Sequence, residues 1–514
     1  MKKLFTFLLL LSFAFAGMAH ESTKIKKVNG ISRLTAGNEP YLMLSGELHN
    51  STSSTAASLD AALRSMKAMG LNSVIGSVSW EQLEPEEGFF DYQSIDNVLD
   101  VASRHDMRMT LIWFGTWKNG ESSYPPVWVK RDTKRFFRAE SADGTPTNTI
   151  SPFCEEACKA DANAFAHLMA RIREKDTKRL ISVIQVENEV GVFMDRDYCP
   201  AARKAYKEGE DNESFMAEAY AKYLNKVAEA GKEQYDLPMY ANCWLPEGPV
   251  GTFPMGGPTP NALSVYKRCA PAIDWLSPDI YAPDFRGFCK IYHTKDNMFF
   301  IPETQRDAGL AYYAFAEHDA QCFAPFAIED IYNDPYFLGE YSVLNELLPT
   351  ISAHQGKGDM HGFIRQSGDA PDDTTSFVID NICFKVHYIK NEKKAHGMVV
   401  RIAPDEYLCA GVGAYITLEP VNPKDKKRPW IGYVEEVALE NGDWKTKVVL
   451  NGDQTNNHRL LYLRGRMYNP DYKEFGFDVP APWTDVSHQR MYWPEWQQRF
   501  KYTGIYRIKT FMLE

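Results

Sequence analysis

Short apolar segments alternate with segments of helical periodicity between about residue 40 and residue 330. Eight apolar segments occur, over residues 41–49, 72–80, 107–115, 181–189, 237–244, 273–281, 297–304 and 321–329. The segments between them carry apolar stripes at helical spacing, such as Ile95, Val98, Leu99 and Ala102. Strands that alternate with helices form parallel sheets, and eight strands are the number that closes a barrel. We therefore predict a (β/α)8 TIM barrel.

The pattern changes after about residue 376. Short alternating strands separated by turns continue to the end of the chain, and this pattern is typical of an antiparallel β-sandwich. The length of 514 residues suits a large barrel with an accessory domain. The predicted organisation is a signal segment over 1–19, a catalytic barrel over 20–360 and a C-terminal β-sandwich over 361–514.

The N-terminal segment has the pattern of an export signal. Lys2 and Lys3 precede an apolar run over residues 4–16, which is too short to span a bilayer, and small residues follow it. We therefore expect an exported protein, either periplasmic or extracellular. No later segment is apolar enough for membrane insertion.

The net charge and the cysteine pattern argue against several classes of partner and cofactor. Lys and Arg number 57 against 68 Asp and Glu, so the net charge is −11 and disfavours nucleic acid or an anionic membrane. The nine cysteines are scattered without zinc spacing, so we expect no metal and no cofactor. A disulfide from Cys154 or Cys158 to Cys199 is an alternative in an oxidising compartment. Whether the chain forms a homo-oligomer stays open.

The segment "ISVIQVENEVGVF" (181–193) places charge where burial is expected. A β-branched run ends on Glu187, Asn188 and Glu189. Burying a lone carboxylate costs several kcal/mol unless it is paired or hydrogen-bonded. We therefore expect the end of this fourth strand to use its carboxylates for function.

Several motifs resemble those of retaining β-glycosidases of clan A. The segments "QVENEVG" (185–191), "LSGELH" (44–49) and "FFIPETQR" (299–306) are similar to glycoside hydrolase family 35, the β-galactosidases. The segment "SWEQLEPEEGFFDY" (79–92) is nearer to the family 42 β-galactosidases. The likeness covers roughly residues 40–330, and the C-terminal part resembles the β-domain of a bacterial subgroup of these enzymes.

This resemblance assigns roles to four residues. It implies that Glu303 is the nucleophile, that Glu189 is the general acid, and that Asn188 donates to the sugar 2-hydroxyl. It also implies that Tyr281 donates to the nucleophile. Strict alternation along a strand would place Asn188 and Glu189 on opposite faces. The resemblance therefore implies an irregular backbone at the end of the fourth strand.

Other candidates come from their position near strand ends. Glu47 ends the first strand and could accept from sugar hydroxyls, and Glu187 could contact or support the substrate. Four tryptophans also fall near strand ends, where an indole can stack on a pyranose ring: Trp80, Trp113, Trp117 and Trp244. We expect about two of the four to touch substrate and the others to lie in the core.

The leading hypothesis is a retaining exo-β-glycosidase, a β-galactosidase that acts on plant or host glycans as its carbohydrate partner. A β-xylosidase or an α-L-arabinopyranosidase is an alternative on the same scaffold. A non-catalytic carbohydrate-binding barrel is an alternative of another class, although a binder has no need of paired carboxylates. A metal-dependent barrel hydrolase would need a His-x-His motif at the first strand, where His49 stands alone.

Overall fold

The computed structural model describes residues 19–370, 373–390, 392–466 and 503–513. The predicted signal segment therefore lies outside the described residues, apart from Ala19. Among the helices in the described ranges, none combines the length and the apolar character needed to cross a membrane.

The described part of the chain begins with a small antiparallel sheet and continues with the barrel strands. The sheet contains β1 (Thr23–Val28), β2 (Ile31–Ala36) and β3 (Glu39–Pro40). The strands that follow are β4 (Met43–Leu44), β5 (Ser73–Ser79), β6 (Arg108–Lys118), β7 (Arg138–Glu140), β8 (Pro146–Ile150), β9 (Ile181–Asn188), β10 (Met239–Trp244), β11 (Trp275–Ile280), β12 (Ile301–Thr304) and β13 (Cys322–Pro325).

Helices separate most of these strands. They are α1 (Ala56–Ala68), α2 (Trp80–Leu83), α3 (Gln93–His105), α4 (Val127–Arg131), α5 (Glu155–Lys175), α6 (Pro200–Ala205), α7 (Asn212–Gln234), α8 (Leu263–Cys269), α9 (Phe285–Tyr292), α10 (Gly309–Glu317) and α11 (Pro335–His354). The apolar stripe predicted between residues 95 and 102 forms the buried face of α3.

Eight of the strands form one parallel sheet in the order β4-β13-β12-β11-β10-β9-β6-β5, and β7 pairs with β8 in a separate hairpin. Glu47, just after β4, bridges both Ile75 of β5 and Phe326 beyond β13, and so joins the two ends of the sheet. The predicted TIM barrel is confirmed, because the eight predicted strands occur in the predicted order.

Side chains alternate between the barrel interior and the layer between strands and helices. On β6, Ile112 and Phe114 belong to the cluster that fills the barrel, whereas Leu111 and Trp113 pack with the surrounding helices. This period of two follows from the pleat of a strand. It decides which strand-end residues reach the cavity at the top of the barrel.

The C-terminal domain contains two antiparallel sheets. Its described strands are β14 (Met360–Ile364), β15 (Thr374–Ile379), β16 (Ile382–Tyr388), β17 (His396–Ala403), β18 (Glu406–Val412), β19 (Ala414–Pro420), β20 (Arg428–Glu440), β21 (Asp443–Val449), β22 (Leu460–Leu463) and β23 (Ile505–Leu513). One sheet has the order β14-β17-β18-β23-β20-β21, and the other has the order β15-β16-β19-β22.

These two sheets pack face to face, as the predicted β-sandwich requires. Phe384 and Ile416 of the four-stranded sheet share one core with Val434 and Ile508 of the six-stranded sheet. The other face of the six-stranded sheet packs against the barrel, where Met398 joins the same cluster as the barrel helices. The six-stranded sheet is therefore the middle layer between the barrel and the outer sheet.

The cysteines are all free thiols in the structure. Cys154 donates to the carbonyl of Arg135, and Cys199 accepts from the backbone N–H of Ala202. The alternative of a disulfide from Cys154 or Cys158 to Cys199 was therefore wrong, since these thiols make separate local contacts.

Candidate active site

Four carboxyl groups converge at the C-terminal edge of the barrel strands. They belong to Glu47 after β4, Glu189 after β9, Asp279 at the end of β11 and Glu303 in β12. All four residues are buried, with exposed fractions of 1 to 7%. One oxygen each of Glu189, Asp279 and Glu303 lies within 4.8 Å of the others. The structure therefore brings the two predicted catalytic residues to one point, together with two further acids.

The backbone at the end of β9 is irregular, as the resemblance implied. Glu187 has φ +63° and Glu189 has φ +47°, whereas non-glycine residues rarely adopt positive φ. These two left-handed residues interrupt the alternation of the strand. Asn188 consequently turns into the barrel, where it contacts Gln185 of the interior face, and Glu189 joins Asp279 and Glu303 in the carboxyl cluster.

Glu187 lies on the other side of the sheet and does not join the carboxyl cluster. Its two carboxylate oxygens accept from the backbone N–H groups of Thr116 and Trp117 at 2.9 and 2.7 Å. Gly115 makes this approach possible, because a Cβ there would lie 2.4 Å from Oε1 of Glu187. The prediction of Glu187 as a substrate contact was wrong, since the left-handed turn points it outward to fix the end of β6.

Asn188 and Asn242 form the amide network that holds Glu189. Asn242, on β10, accepts from the backbone N–H of Glu189 at 3.0 Å. It donates to Asp279 at 2.6 Å and to the side-chain oxygen of Asn188 at 3.1 Å. Asn188 in turn donates to Asn119 at 3.1 Å and approaches Oε2 of Glu189 at 3.5 Å. The long contact to Glu189 is the one that a sugar hydroxyl could replace.

Glu303 is held from one side by Tyr281. The register of β12 against β13 shifts between Ile301 and Thr304, so the alternation is again broken next to a candidate catalytic residue. The Tyr281 hydroxyl donates to Oε1 of Glu303 at 2.6 Å. Tyr281 thus makes the contact that the resemblance implied.

Three carboxyl oxygens of this cluster have no hydrogen-bond partner among the described residues. They are Oε1 of Glu47, Oδ1 of Asp279 and Oε2 of Glu303. Buried polar atoms normally find partners, because an unsatisfied one costs about 1–3 kcal/mol. Unpartnered oxygens that belong to one cluster are suited to a ligand with several hydroxyl groups.

Burial and the charges of neighbouring acids raise the pKa values of Glu47, Glu189 and Asp279. Burial, followed by the charge of Glu303, raises the pKa of Glu189 to about 7, and Lys118 opposes the shift. Burial and the charge of Glu303 also raise the pKa values of Glu47 and Asp279 well above their usual range. The cluster therefore holds protons at neutral pH, as a site with a general acid requires.

Three of the four tryptophan candidates lie in the core instead of the cavity. Trp80 donates to Glu84, Trp113 to Asp161 and Trp117 to the carbonyl of Ile150, and all three are fully buried. The expectation that about two tryptophans touch substrate was therefore wrong for this set. Strand alternation turns Trp113 toward the helices, because its neighbours Ile112 and Phe114 fill the barrel.

Trp244 remains at the rim of the barrel. It ends β10 and is 37% exposed. Its ring meets that of Phe193 edge to face at 6.0 Å between centroids. Phe193 follows Glu189 by four residues and is itself 40% exposed. This exposed aromatic pair adjoins the strand end that carries Glu189.

Asp279, Asn242 and Lys118 were missed by the sequence reasoning. Asp279 and Asn242 stand near the ends of predicted strands, in "SPDIY" and "YANCW", whereas Lys118, in "TWK", follows the predicted third strand by three residues. The available signal was a polar residue near the C-terminal end of a barrel strand, where catalytic residues of this fold gather. The same signal selected Glu47, and it applied equally to these three.

The acid cluster could also hold a hard cation. Glu189, Asp279 and Glu303 present oxygens at ligand spacing, and carboxylates suit Mg²⁺ or Ca²⁺. Those ions take about six or more oxygen ligands, so three carboxylates would leave the remaining positions to water. The same spacing serves paired carboxyl groups that act on a sugar without a cation.

Comparison with known families assigns a class to this barrel. The family model described as β-galactosidase, that of glycoside hydrolase family 42, matches residues 50–235. The chain carries a glycoside hydrolase domain. The match supports clan A, and the matched model is that of family 42 instead of family 35. A second family model, described as a domain of unknown function (DUF5597), matches residues 337–461.

Curated relatives of the glycoside hydrolase domain carry the same name. Beta-galactosidase Pbg of Clostridium perfringens is 25% identical over 262 residues, which are 47% of this chain and 34% of the relative. Beta-galactosidase Bga of Halorubrum lacusprofundi is 28% identical over 137 residues, which are 25% of this chain and 18% of the relative. The chain thus spans about a third or less of the length of these relatives.

Solved structures resemble the chain more distantly. The β-galactosidase from the psychrophilic Marinomonas ef1 matches with a TM-score of 0.47 at 12% identity. The matched region covers 61% of this chain and 60% of the Marinomonas chain. The cold-adapted β-galactosidase from Rahnella sp. R3 matches with a TM-score of 0.47 at 15% identity. The matched region covers 62% of this chain and 57% of the Rahnella chain.

Proposed function

We propose that the protein is an exported, retaining exo-β-glycosidase that releases terminal β-D-galactose. The observation that carries the proposal is that one carboxyl oxygen of Glu189 and one of Glu303 lie within 4.8 Å of each other in one buried cluster. Retaining enzymes hold their two carboxyl groups about 5–5.5 Å apart, whereas inverting enzymes leave about 6.5–9.5 Å for a water. The spacing here supports double displacement.

In the first step, an oxygen of Glu303 attacks the anomeric carbon while the bond from that carbon to the leaving oxygen breaks. Glu189 gives its proton to the leaving oxygen. Its pKa of about 7 keeps much of it protonated at neutral pH. Tyr281 holds Oε1 of Glu303, so the unpartnered Oε2 is the oxygen positioned for attack.

In the second step, water replaces Glu303 on the sugar. Bonding to the sugar removes the charge of Glu303, which is one of the causes of the raised pKa of Glu189. The pKa of Glu189 consequently falls, and Glu189 accepts a proton from the attacking water. The bond between Glu303 and the sugar breaks, and the product keeps the configuration of the substrate.

The acid cluster supports a neutral sugar at the cleavage position. Burial and the charges of neighbouring acids already raise the pKa values of Glu47, Glu189 and Asp279. A uronic acid would bring a further carboxylate to this cluster. We therefore propose that galactosides are accepted and that galacturonides and glucuronides are rejected.

The names of the matched family model and of the curated relatives support galactose as the sugar. The motif likeness to family 35 points to the same activity as the match to family 42. The proposal therefore does not depend on the choice between these two families of clan A.

A panel of aryl glycosides tests the function. Wild type, Glu189→Gln and Glu303→Gln are assayed on dinitrophenyl and phenyl β-D-galactosides, β-D-xylosides and α-L-arabinopyranosides, with β-D-glucuronides added. Glu303→Gln should lower kcat/KM by at least about 1,000-fold on every substrate. Glu189→Gln should lose about 100- to 10,000-fold on the phenyl glycoside, which needs protonation, and far less on the dinitrophenyl glycoside.

The matched control is Glu174→Gln, a substitution on α5 at a side chain that is 60% exposed. It should leave kcat/KM unchanged. Equal losses on both leaving groups for Glu189→Gln would contradict the acid assignment. If the xyloside or the arabinopyranoside is hydrolysed faster than the galactoside, that sugar and not galactose is the substrate. If no glycoside is hydrolysed but carbohydrate still binds, the result favours a binding barrel.

A further inference from the structure

A short segment joins Tyr281, which holds the candidate nucleophile, to helix α9. Strand β11 ends at Ile280 and α9 begins at Phe285, so four residues lie between them. Tyr281 opens this segment and donates to Glu303. Asp284 closes it and caps α9 by accepting from the backbone N–H of Gly287 at 3.0 Å. A displacement of Asp284 therefore reaches Tyr281 through only two intervening residues.

The C-terminal domain contacts this segment at its C-terminal end. The β14–β15 loop, defined here as residues 365–370, carries Gln366 and Asp369. Gln366 donates to Oδ1 of Asp284 at 3.0 Å and accepts from the backbone N–H of Arg286 at 3.1 Å. The Arg286 guanidinium also pairs with Asp369, whose side chain is 11% exposed. Three contacts thus join one loop to the first turn of α9.

The β14–β15 loop is itself fixed within its own domain. The backbone N–H of Gln366 donates to Asp369 at 2.9 Å. Arg365 donates to the carbonyls of Ile389 and Glu392, each at 3.1 Å. The residues that hold Asp284 are therefore arranged by the domain, so the contact can transmit its position to α9.

The same domain also packs behind the strand that carries Glu303. Helix α10 follows β12 and lies against β14 and β17. His361 of β14 contacts the carboxylate of Glu317, the last residue of α10, at 2.9 Å. The C-terminal domain thus supports the helices that follow both β11 and β12, the two strands that position Tyr281 and Glu303.

We propose that the β14–β15 loop of the C-terminal domain is a positioning element of the active site. By holding Asp284 and the first turn of α9, it keeps the hydroxyl of Tyr281 on Oε1 of Glu303. This inference rests on the proposed function for its kinetic consequence. The region that matches the family model of unknown function thereby influences catalysis. It does so through Gln366, a residue that does not touch substrate.

The test variant is Gln366→Ala in the full chain. Its kcat should fall by roughly 3- to 10-fold, while KM stays within about twofold, because substrate contacts remain intact. The matched control is Glu346→Ala, which breaks another contact between the barrel and this domain, to the backbone N–H of Leu439 at 3.0 Å and to Arg466. The control should lower the melting temperature at least as much and leave kcat unchanged.

A double-mutant cycle separates positioning from general destabilisation. If Gln366 acts through Tyr281, then adding Gln366→Ala to Tyr281→Phe should change kcat by less than about twofold, because the contact it supports is already gone. Multiplicative losses in the double variant would overturn the proposal. So would an unchanged kcat in Gln366→Ala alone.

Hydrogen exchange gives a readout that does not need activity. Backbone amides of residues 281–288 should exchange faster in Gln366→Ala than in wild type, and should be unchanged in Glu346→Ala. If the wild-type protein hydrolyses no glycoside, the proposed function fails, and the exchange result still decides whether the loop holds this segment. Equal exchange in wild type and Gln366→Ala would overturn the positioning role.

Discussion

The Tyr281 hydroxyl donates to Oε1 of Glu303 at 2.6 Å, while Oε2 of the same carboxyl group has no partner in the part of the chain that the structure describes. This asymmetry assigns different tasks to the two oxygens. Oε1 is fixed in place, and Oε2 remains available in the cluster that contains Glu189. Tyr281, the residue just after β11, therefore helps to orient the candidate nucleophile.

Replacing Tyr281 with Phe removes this hydrogen bond and keeps the ring. A hydrogen bond to a charged group contributes about 1.5–3 kcal/mol. We therefore expect kcat/KM to fall roughly 10- to 100-fold on an aryl galactoside, with little change in melting temperature since Tyr281 is 46% exposed. Unchanged kinetics would show that the bond does not orient Glu303 during the reaction.

The pH profile should report the proton on Glu189. A general acid must be protonated, so kcat/KM should fall as pH rises through its pKa of about 7. Lys118 lowers this pKa by favouring the carboxylate. Lys118→Met should therefore move the upper limb of the profile to higher pH. The control Lys222→Met, on an exposed face of α7, should leave the limb in place, and a shift of the Lys118→Met limb to lower pH would contradict the assignment.

A buried ion pair should make stability depend on pH. His396 of β17 lies 3.1 Å from Glu340 of α11, and each side chain is 1% exposed. Burial disfavours the charged imidazolium, but the hydrogen bond and charge of Glu340 outweigh it and raise the pKa of His396. The folded pKa thus exceeds the unfolded value of about 6.5. The stabilisation is complete below about pH 6.5 and is lost as pH rises through the folded pKa.

The measurement for this pair is thermal unfolding of wild type and His396→Asn across pH. Loss of one partner of a buried pair costs about 3–5 kcal/mol, so the melting temperature of the variant should be lower throughout. The gap should be widest near pH 5.5 and should narrow at alkaline pH. A gap that widens with rising pH would contradict the charged pair.

The barrel was predictable from sequence because strands that alternate with helices form a parallel sheet, and eight strands close it. The roles of Glu189 and Glu303 were implied by the motif resemblance, and the shared edge of the barrel strands allowed the two residues to meet. The failures occurred where side-chain direction mattered. Glu187 turns outward at a positive φ, and Trp113 follows the strand alternation into the helical layer.

Asp279 and Asn242 were not predicted because a polar strand-end residue has many ordinary roles. Their importance appears only when their partners are known, since Asn242 joins Glu189, Asn188 and Asp279 through separate hydrogen bonds. The contact between Gln366 and Asp284 spans 82 residues of sequence, and no local pattern connects them. Long-range polar contacts of this kind are specified by the packing of whole domains.

Trapping of the glycosyl-enzyme tests the central claim most directly, that Glu303 attacks the sugar carbon beside Glu189. The reagent is an activated 2-deoxy-2-fluoro glycoside of the sugar that the wild-type enzyme hydrolyses fastest, followed by peptide mass spectrometry. We predict one fluoroglycosyl group per chain, attached to Glu303, with loss of activity in step with labelling. A label on Asp279 or Glu47, or inactivation without any label, would contradict the account.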